Sequence, residues 1–434
     1  MLKMIKHILI ISFLTSLLLV SEGISAQTRI NSPYSRYGIG DISMTKNARY
    51  MSMGGITYGI RDKTSTNFSN PASYVAADTV CFVFEGSVMS RISYLATSNS
   101  ETQSNYTSLG YLAAQLPITK WMSASFGLLP YSSVGYEITD LQTVENIGNV
   151  EYVYEGSSGF NRFYIGTAVE PFKGFSLGVN ASYNFGSINN IRSSRIVDSL
   201  NYYNVRISNS SIIHDVSFDF GLQYHKTFIN KNDDEYFLGL GVVYGMESNL
   251  NTDDNYLVER YTDGTSGYVF IEDTIEMIEI KNGNLVLPMK FGSGFSFGKK
   301  DRWLIGADYT WQNWSKFSYL GQIDTNMTDS WQISLGGEFI PKHSSVSSYF
   351  SRINYRLGFR YGSTYLTLQD QQLGDYGISF GFGLPLRGTA SMVNIGFELG
   401  QRGSLENNLI KESYGRITFA FNIFEGWFYK RKYN

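Results

Sequence analysis

From Phe175 to Phe185 the chain alternates without a break. Phe175, Leu177, Val179, Ala181, Tyr183 and Phe185 fall on one parity, and Ser176, Gly178, Asn180, Ser182 and Asn184 on the other. A period of two belongs to a β-strand whose two faces meet different surroundings. The last such segment follows the same rule, with Ile417, Phe419, Phe421 and Ile423 against Arg416, Thr418, Ala420 and Asn422. Twelve more segments, from Val80–Tyr94 to Val393–Gly400, bring the count to fourteen. Each is close to the ~9–11 residues that cross a bilayer as a tilted strand.

The connections alternate as well. Pro117–Lys120, Pro171–Gly174, Asn230–Glu235, Gly298–Arg302, Pro341–Asn354 and Arg387–Ser391 fall at every second junction, and most are tight. Between them lie Ser132–Gly159, Gly186–Ile212 and Asn249–Asn284, which read as long polar loops. Short periplasmic turns and long outer loops are the habit of outer-membrane barrels, and an even strand count then puts both termini in the periplasm. Tyr268–Ile280 is also strand-like. A fifteenth strand would break that parity, so it reads as a hairpin arm extending an outer loop. The fold class expected is all-β, a 14-stranded antiparallel transmembrane β-barrel with an N-terminal segment plugging the lumen.

Composition sharpens this picture. Lys3 and Lys6 precede an apolar run from Ile8 to Val20 and small residues up to Ala26, the layout of a signal peptide over residues 1–26. Glycine (43), Tyr (32) and Phe (29) are abundant and Pro (8) is scarce, which suits a large sheet. A mean hydropathy of −0.16 speaks against a helical membrane protein but not against a barrel, whose lipid face is every second residue. A net charge of −3 excludes a basic nucleic-acid surface, and Cys81 alone offers no disulfide framework. Trp121, Trp303, Trp311, Trp314, Trp331 and Trp427 collect at strand ends, where interfacial girdles place them. The expected divisions are the signal peptide, a hatch over 27–78, the barrel over 79–424 and a periplasmic tail over 425–434.

Residues 27–78 carry no run of barrel strands, and about fifty unpatterned residues need a place to pack. The stretch Ala48–Gly55 (ARYMSMGG) followed by Asn70-Pro71-Ala72 resembles the N-terminal hatch signature of the FadL/TodX-type outer-membrane transporters of hydrophobic compounds, in particular their Bacteroidota-type branch. Tyr355-Arg-Leu-Gly358, Gly377–Pro385 and Glu398–Gly403 extend the likeness into the C-terminal third. The resemblance implies a hatch plugging the barrel, a hydrophobic ligand of the long-chain fatty acid or hydrocarbon type, and lateral release into the membrane. It also leaves open a docking or shuttle partner of a protein-secretion machine, or a structural surface barrel.

Parity places Glu85, Arg162, Asp215, Asp219, Lys290, Asp308, Glu338, Arg356, Arg360, Glu398 and Arg416 toward the lumen. Buried charges of mixed sign call for mutual pairing, including pairing with the hatch arginines Arg36, Arg49 and Arg61. The competing reading is recognition of a carboxylate ligand by Arg356 or Arg360. In the hatch, Tyr34 and Tyr37 offer flat amphipathic contacts, Arg36 a buried partner for a lumen carboxylate, and Asn70, Pro71 and Ala72 a candidate ligand turn. Catalysis is not expected: Ser217 and His225 share a strand face but stand ~26 Å apart along it, too far for a base to reach a nucleophile. No metal or cofactor is expected, since His214, His225 and His343 lie on different faces or turns. The partners expected are outer-membrane lipid and lipopolysaccharide, the latter met by the acidic loop pairs Asp233-Asp234 and Asp253-Asp254, together with a hydrophobic small molecule.

Overall fold

The computed structural model describes residues 32–198, 202–263, 269–345 and 347–426, so the expected signal peptide and most of the expected tail lie outside the described residues. Fourteen antiparallel strands close a barrel. In chain order they are β1 (Cys81–Ala96), β2 (Glu101–Pro117), β3 (Met122–Pro130), β4 (Gly148–Phe172), β5 (Phe175–Ile196), β6 (Asn204–Ile229), β7 (Glu235–Gly245), β8 (Lys290–Lys299), β9 (Trp303–Gln312), β10 (Ser330–Phe339), β11 (Asn354–Leu368), β12 (Gln371–Pro385), β13 (Met392–Arg402) and β14 (Lys411–Gly426). Pairing of β1 with β14, from Cys81 opposite Gly426 to Ala96 opposite Lys411, completes the ring. The period-two reading holds at the level of single side chains. On β14, Ile417 is 48% and Phe419 49% exposed, while Thr418, Ala420 and Asn422 are buried.

The long connections are not loops. At ~3.3 Å per residue the 26 residues of β6 run to ~86 Å, far more than an apolar band ~25 Å tall requires even when tilted. The surplus of β4, β5 and β6 carries the same sheet on beyond one end of the barrel. Tyr136–Val144 adds to β4 on one side. Ser248–Asp263 adds to the far half of β6, and Val269–Leu287 adds to Ser248–Asp263. These segments were expected as polar loops because apolar alternation fades there; the ladder satisfies their main chain all the same, and Leu250, Val258 and Tyr261 are buried. The strand-like segment after residue 268 is thus an arm outside the fourteen-strand ring, as its parity required. One boundary needs correcting. Leu285–Phe297 reads as a single strand, but Leu285–Leu287 closes the arm and β8 begins at Lys290, because Pro288 has no N–H to give a ladder.

Residues 32–78 contain short helices, Pro33–Arg36, Ala48–Met51 and Pro71–Ala76. Side chains of Ser32, Asn47 and Asn70 each accept a backbone N–H two residues on and start these turns. The segment touches the wall all round. A Cβ on Gly358 of β11 would lie 1.9 Å from the Gly54 nitrogen, and one on Gly241 of β7 1.8 Å from the Tyr58 carbonyl oxygen. Glycine at those wall positions is what lets the two backbones meet.

Candidate functional site

The lumen-facing carboxylates hold the N-terminal segment. Asp308 on β9 accepts from the backbone N–H of Thr57 (2.5 Å) and Tyr58 (3.0 Å) and from the Thr57 hydroxyl (3.2 Å). Glu85 on β1 accepts from the Thr66 N–H (2.9 Å), from Asn422 of β14 (2.7 Å) and from the Asn47 amide. Glu338 on β10 bridges Arg49 of the segment and Arg356 of β11, each at 2.7 Å. Arg49 also pairs with Asp62. Arg402 on β13 reaches Asp41 of the segment at 2.7 Å and Glu412 of β14 at 2.6 Å. Charges buried this deeply are tolerable only when paired or hydrogen-bonded: Glu338 and Arg402 meet opposite charges, while among the described residues Asp308 and Glu85 are held by neutral donors alone.

The structure gives each expected site residue a partner or a packing place. Arg356 pairs with Glu338, and Arg360 pairs with Asp375 (2.7 Å) and Glu398 (2.9 Å). Glu398 also takes Arg416 at 3.3 Å. These form a wall network. Asp219 sits 3.5 Å from both Arg162 and Lys290. Asp215 accepts the Asn251 N–H (3.1 Å) at the rim. Tyr34 is buried, with its hydroxyl donating to the Ile410 carbonyl and accepting the Ile410 N–H. Tyr37 packs beside the same apolar cluster. Asn70 donates to the Tyr58 carbonyl (2.8 Å) and caps Ala72, while Pro71 and Ala72 lie against Gly178 and Gly221 of the wall. Arg36 corrects the expectation of a buried lumen pair: it is exposed and stands over its neighbour Tyr37 at 4.8 Å, because Arg402 already meets Asp41 from the wall.

Sequence reasoning missed Lys46, Asp41, Asp62, Asp375, Arg402 and Glu412. The last two were within reach, since the parity of Glu398 extends to Arg402 and that of Arg416 back to Glu412.

Beside the segment lies a chamber of about 330 Å³. Rings and apolar groups from Tyr131, Tyr164, Trp314, Trp331, Leu129 and Met44 line it, as do Lys46, Arg162, Lys290 and Asp219. Two cations share Asp219. The Lys46 ammonium donates to the Gly55 carbonyl (2.6 Å), and no carboxylate pairs with it among the described residues. Burial pulls Lys46 down to about 8, with Asp308 opposing the shift. The chamber therefore joins apolar walls to excess positive charge, and it fits a small amphipathic molecule with an anionic end.

The family model described as BamG matches residues 4–434. No curated protein matches the chain. Among solved structures, the toluene transporter TodX of P. putida aligns with TM-score 0.58 at 14% identity, over 90% of this chain and 100% of that one. A Pseudomonas aeruginosa FadL homologue aligns with TM-score 0.56 at 11% identity, over 89% and 99%. The toluene transporter TbuX of Ralstonia pickettii aligns with TM-score 0.53 at 13% identity, over 92% and 99%. At these identities the likeness establishes the fold they share.

Proposed function

The chain belongs to the BamG family, and from that premise we propose that it is a passive outer-membrane channel for small hydrophobic or amphipathic molecules, with residues 27–78 as its hatch. Both termini face the periplasm in this reading, the extended part of the sheet faces outward, and no bond is made or broken. The observation that carries the proposal is the chamber: a pocket of mixed apolar and polar lining in the barrel lumen, with Lys46, Arg162 and Lys290 on its wall, beside the segment that would have to move. Molecules of the kind carried by the toluene transporters of like fold suit its walls, and an anionic head suits Lys46, Arg162 and Lys290. The test is uptake of a permanently charged aryl sulfonate into proteoliposomes, since such a probe crosses bare bilayer slowly. Uptake above protein-free vesicles supports the channel; parity with them removes it.

A second reading, docking of a partner protein at the outer face, is favoured by the arm. Val269–Leu287 pairs along its length with Ser248–Asp263 and on its other side only briefly, at Leu285 and Val286. Phe270 (58%), Ile275 (53%) and Met277 (55%) are exposed on it. A long, largely unpaired edge of mixed apolar and acidic residues is open to strand addition. Deleting residues 250–284 separates the two readings: if docking is the function, partner binding is lost, and if transport through the lumen is, uptake persists unchanged.

A further inference from the structure

The lipid-facing wall is notched across β9, β10 and β11. Ile305, Gly337 and Leu357 are cross-strand neighbours in one outward row, with Ile305 52% and Leu357 64% exposed. Gly337 has no side chain to fill its place in that row. A groove of about 770 Å³ opens there, lined by Leu335, Phe339, Phe359 and Ile378 besides the two flanking residues. That volume falls within the ~300–1,000 Å³ of small-molecule clefts, and its walls are hydrocarbon and aromatic ring.

One end of the groove, at Trp303, Phe339 and Tyr355, meets the turns that join these strands. Three cations stand on those turns: Arg302, Lys342 and Arg352. Backbone bonds tie them together, from the Ile340 N–H to the Arg302 carbonyl (2.7 Å) and from the Lys342 N–H to the Ser351 carbonyl (2.7 Å). The Tyr355 hydroxyl donates to the Phe350 carbonyl (3.1 Å), which fixes the turn of Arg352 to the groove lining. The adjoining Lys299 and Lys300 are neutralised by Asp234 and Glu235, each at 2.6 Å. Among the described residues no carboxylate pairs with Arg302, Lys342 or Arg352; the Arg302 guanidinium donates to the Pro341 carbonyl, which holds it on the neighbouring turn. Asp301 is the acid next in sequence to them, and it is exposed.

We propose that this groove binds one anionic phospholipid of the membrane, with acyl chain in the notch at Gly337 and phosphate between Arg302, Lys342 and Arg352. The apolar slot alone fits any acyl chain; the three unmatched cations at its mouth select the headgroup, since guanidinium and ammonium groups pair with phosphate. The site lies on the outside of the barrel and is independent of what passes through the lumen.

Native mass spectrometry of the full-length protein with phosphatidylglycerol and phosphatidylethanolamine as probes tests it. The wild type should retain one phosphatidylglycerol at least tenfold better than phosphatidylethanolamine. Arg302→Gln, Lys342→Gln and Arg352→Gln together should abolish that preference. Leu357→Trp should remove the retained lipid of either kind. It is a better filler than a Gly337 substitution, whose added Cβ would stand 2.8 Å from the Leu304 carbonyl oxygen. If the triple variant forms no heat-modifiable barrel, Leu357→Trp still decides. Equal retention of the two lipids by the wild type, a preference unchanged in the triple variant, or a second protein chain seated on this face in place of lipid overturns the proposal.

Discussion

Replacing Asp308 by alanine should unseat the hatch while leaving the barrel standing. The carboxylate accepts from two hatch backbone N–H groups and one hydroxyl, all buried. Without it, two main-chain donors lose their acceptor, at about 1–3 kcal/mol each. The sum, about 2–6 kcal/mol, multiplies the unseated population by roughly 30 to 10⁴, taking ~1.4 kcal/mol per tenfold. Hydrogen exchange followed by mass spectrometry reads this directly: amides of residues 53–60 should exchange faster by that factor, and amides within β9 and β10 should not. Asp308→Asn keeps an acceptor and loses the charge assistance, so its effect should be smaller by about 1 kcal/mol per bond. Unchanged protection at Thr57 and Tyr58 in an Asp308→Ala variant that still forms a heat-modifiable barrel would refute the reasoning, since the wall carboxylate would then not be what holds the hatch.

Other outcomes follow from the same contacts. Lys46 loses its proton as pH rises through about 8, so binding of the aryl sulfonate should fall severalfold between pH 7 and 9 and lose that dependence in Lys46→Met. The stability sign is the opposite one: between about 8 and the ordinary 10.5 the unfolded chain holds more protons, so this lysine makes folding more favourable as pH rises, and lost binding there is not unfolding. Gly358→Val should cost about 1–3 kcal/mol by overpacking against Gly54, read as hatch exchange with barrel mobility on an unheated gel unchanged. Arg402→Gln removes the cation that Asp41 and Glu412 share, while Glu412 keeps Arg91 at 2.6 Å, and should lower the denaturant midpoint.

The wall was legible because a lipid face imposes a rule on every second residue, and Ile417 to Ile423 obey it one by one. Beyond the membrane the rule lapses. In Ser248–Asp263 the buried positions include Thr252, Asp254 and Glu259 beside Leu250 and Tyr261, and Tyr136–Val144 is mostly exposed, so no apolar alternation separates a strand from a loop there and only the pairing reveals the outer extension of the sheet. The lumen was half legible. Parity set Glu338, Arg356, Arg360 and Glu398 inward, but which charge meets which depends on register between strands. The hatch follows no period at all. That Asp41 and Arg49, and not Arg36, carry ion pairs to the wall is a matter of how the chain enters the lumen, which local sequence does not encode.

The central claim, a hatch that must move for a molecule to pass, is tested most directly by locking it. A Cβ on Gly396 of β13 would stand 3.8 Å from the Ser52 Cβ, which is the usual Cβ separation of a disulfide. Ser52→Cys with Gly396→Cys, in a Cys81→Ala background, joins hatch to wall under oxidation and frees it under reductant. Proteoliposomes should take up the aryl sulfonate when this protein is reduced and fall to the protein-free rate when it is oxidised. Equal uptake in both states, with the disulfide verified by mass, contradicts the account.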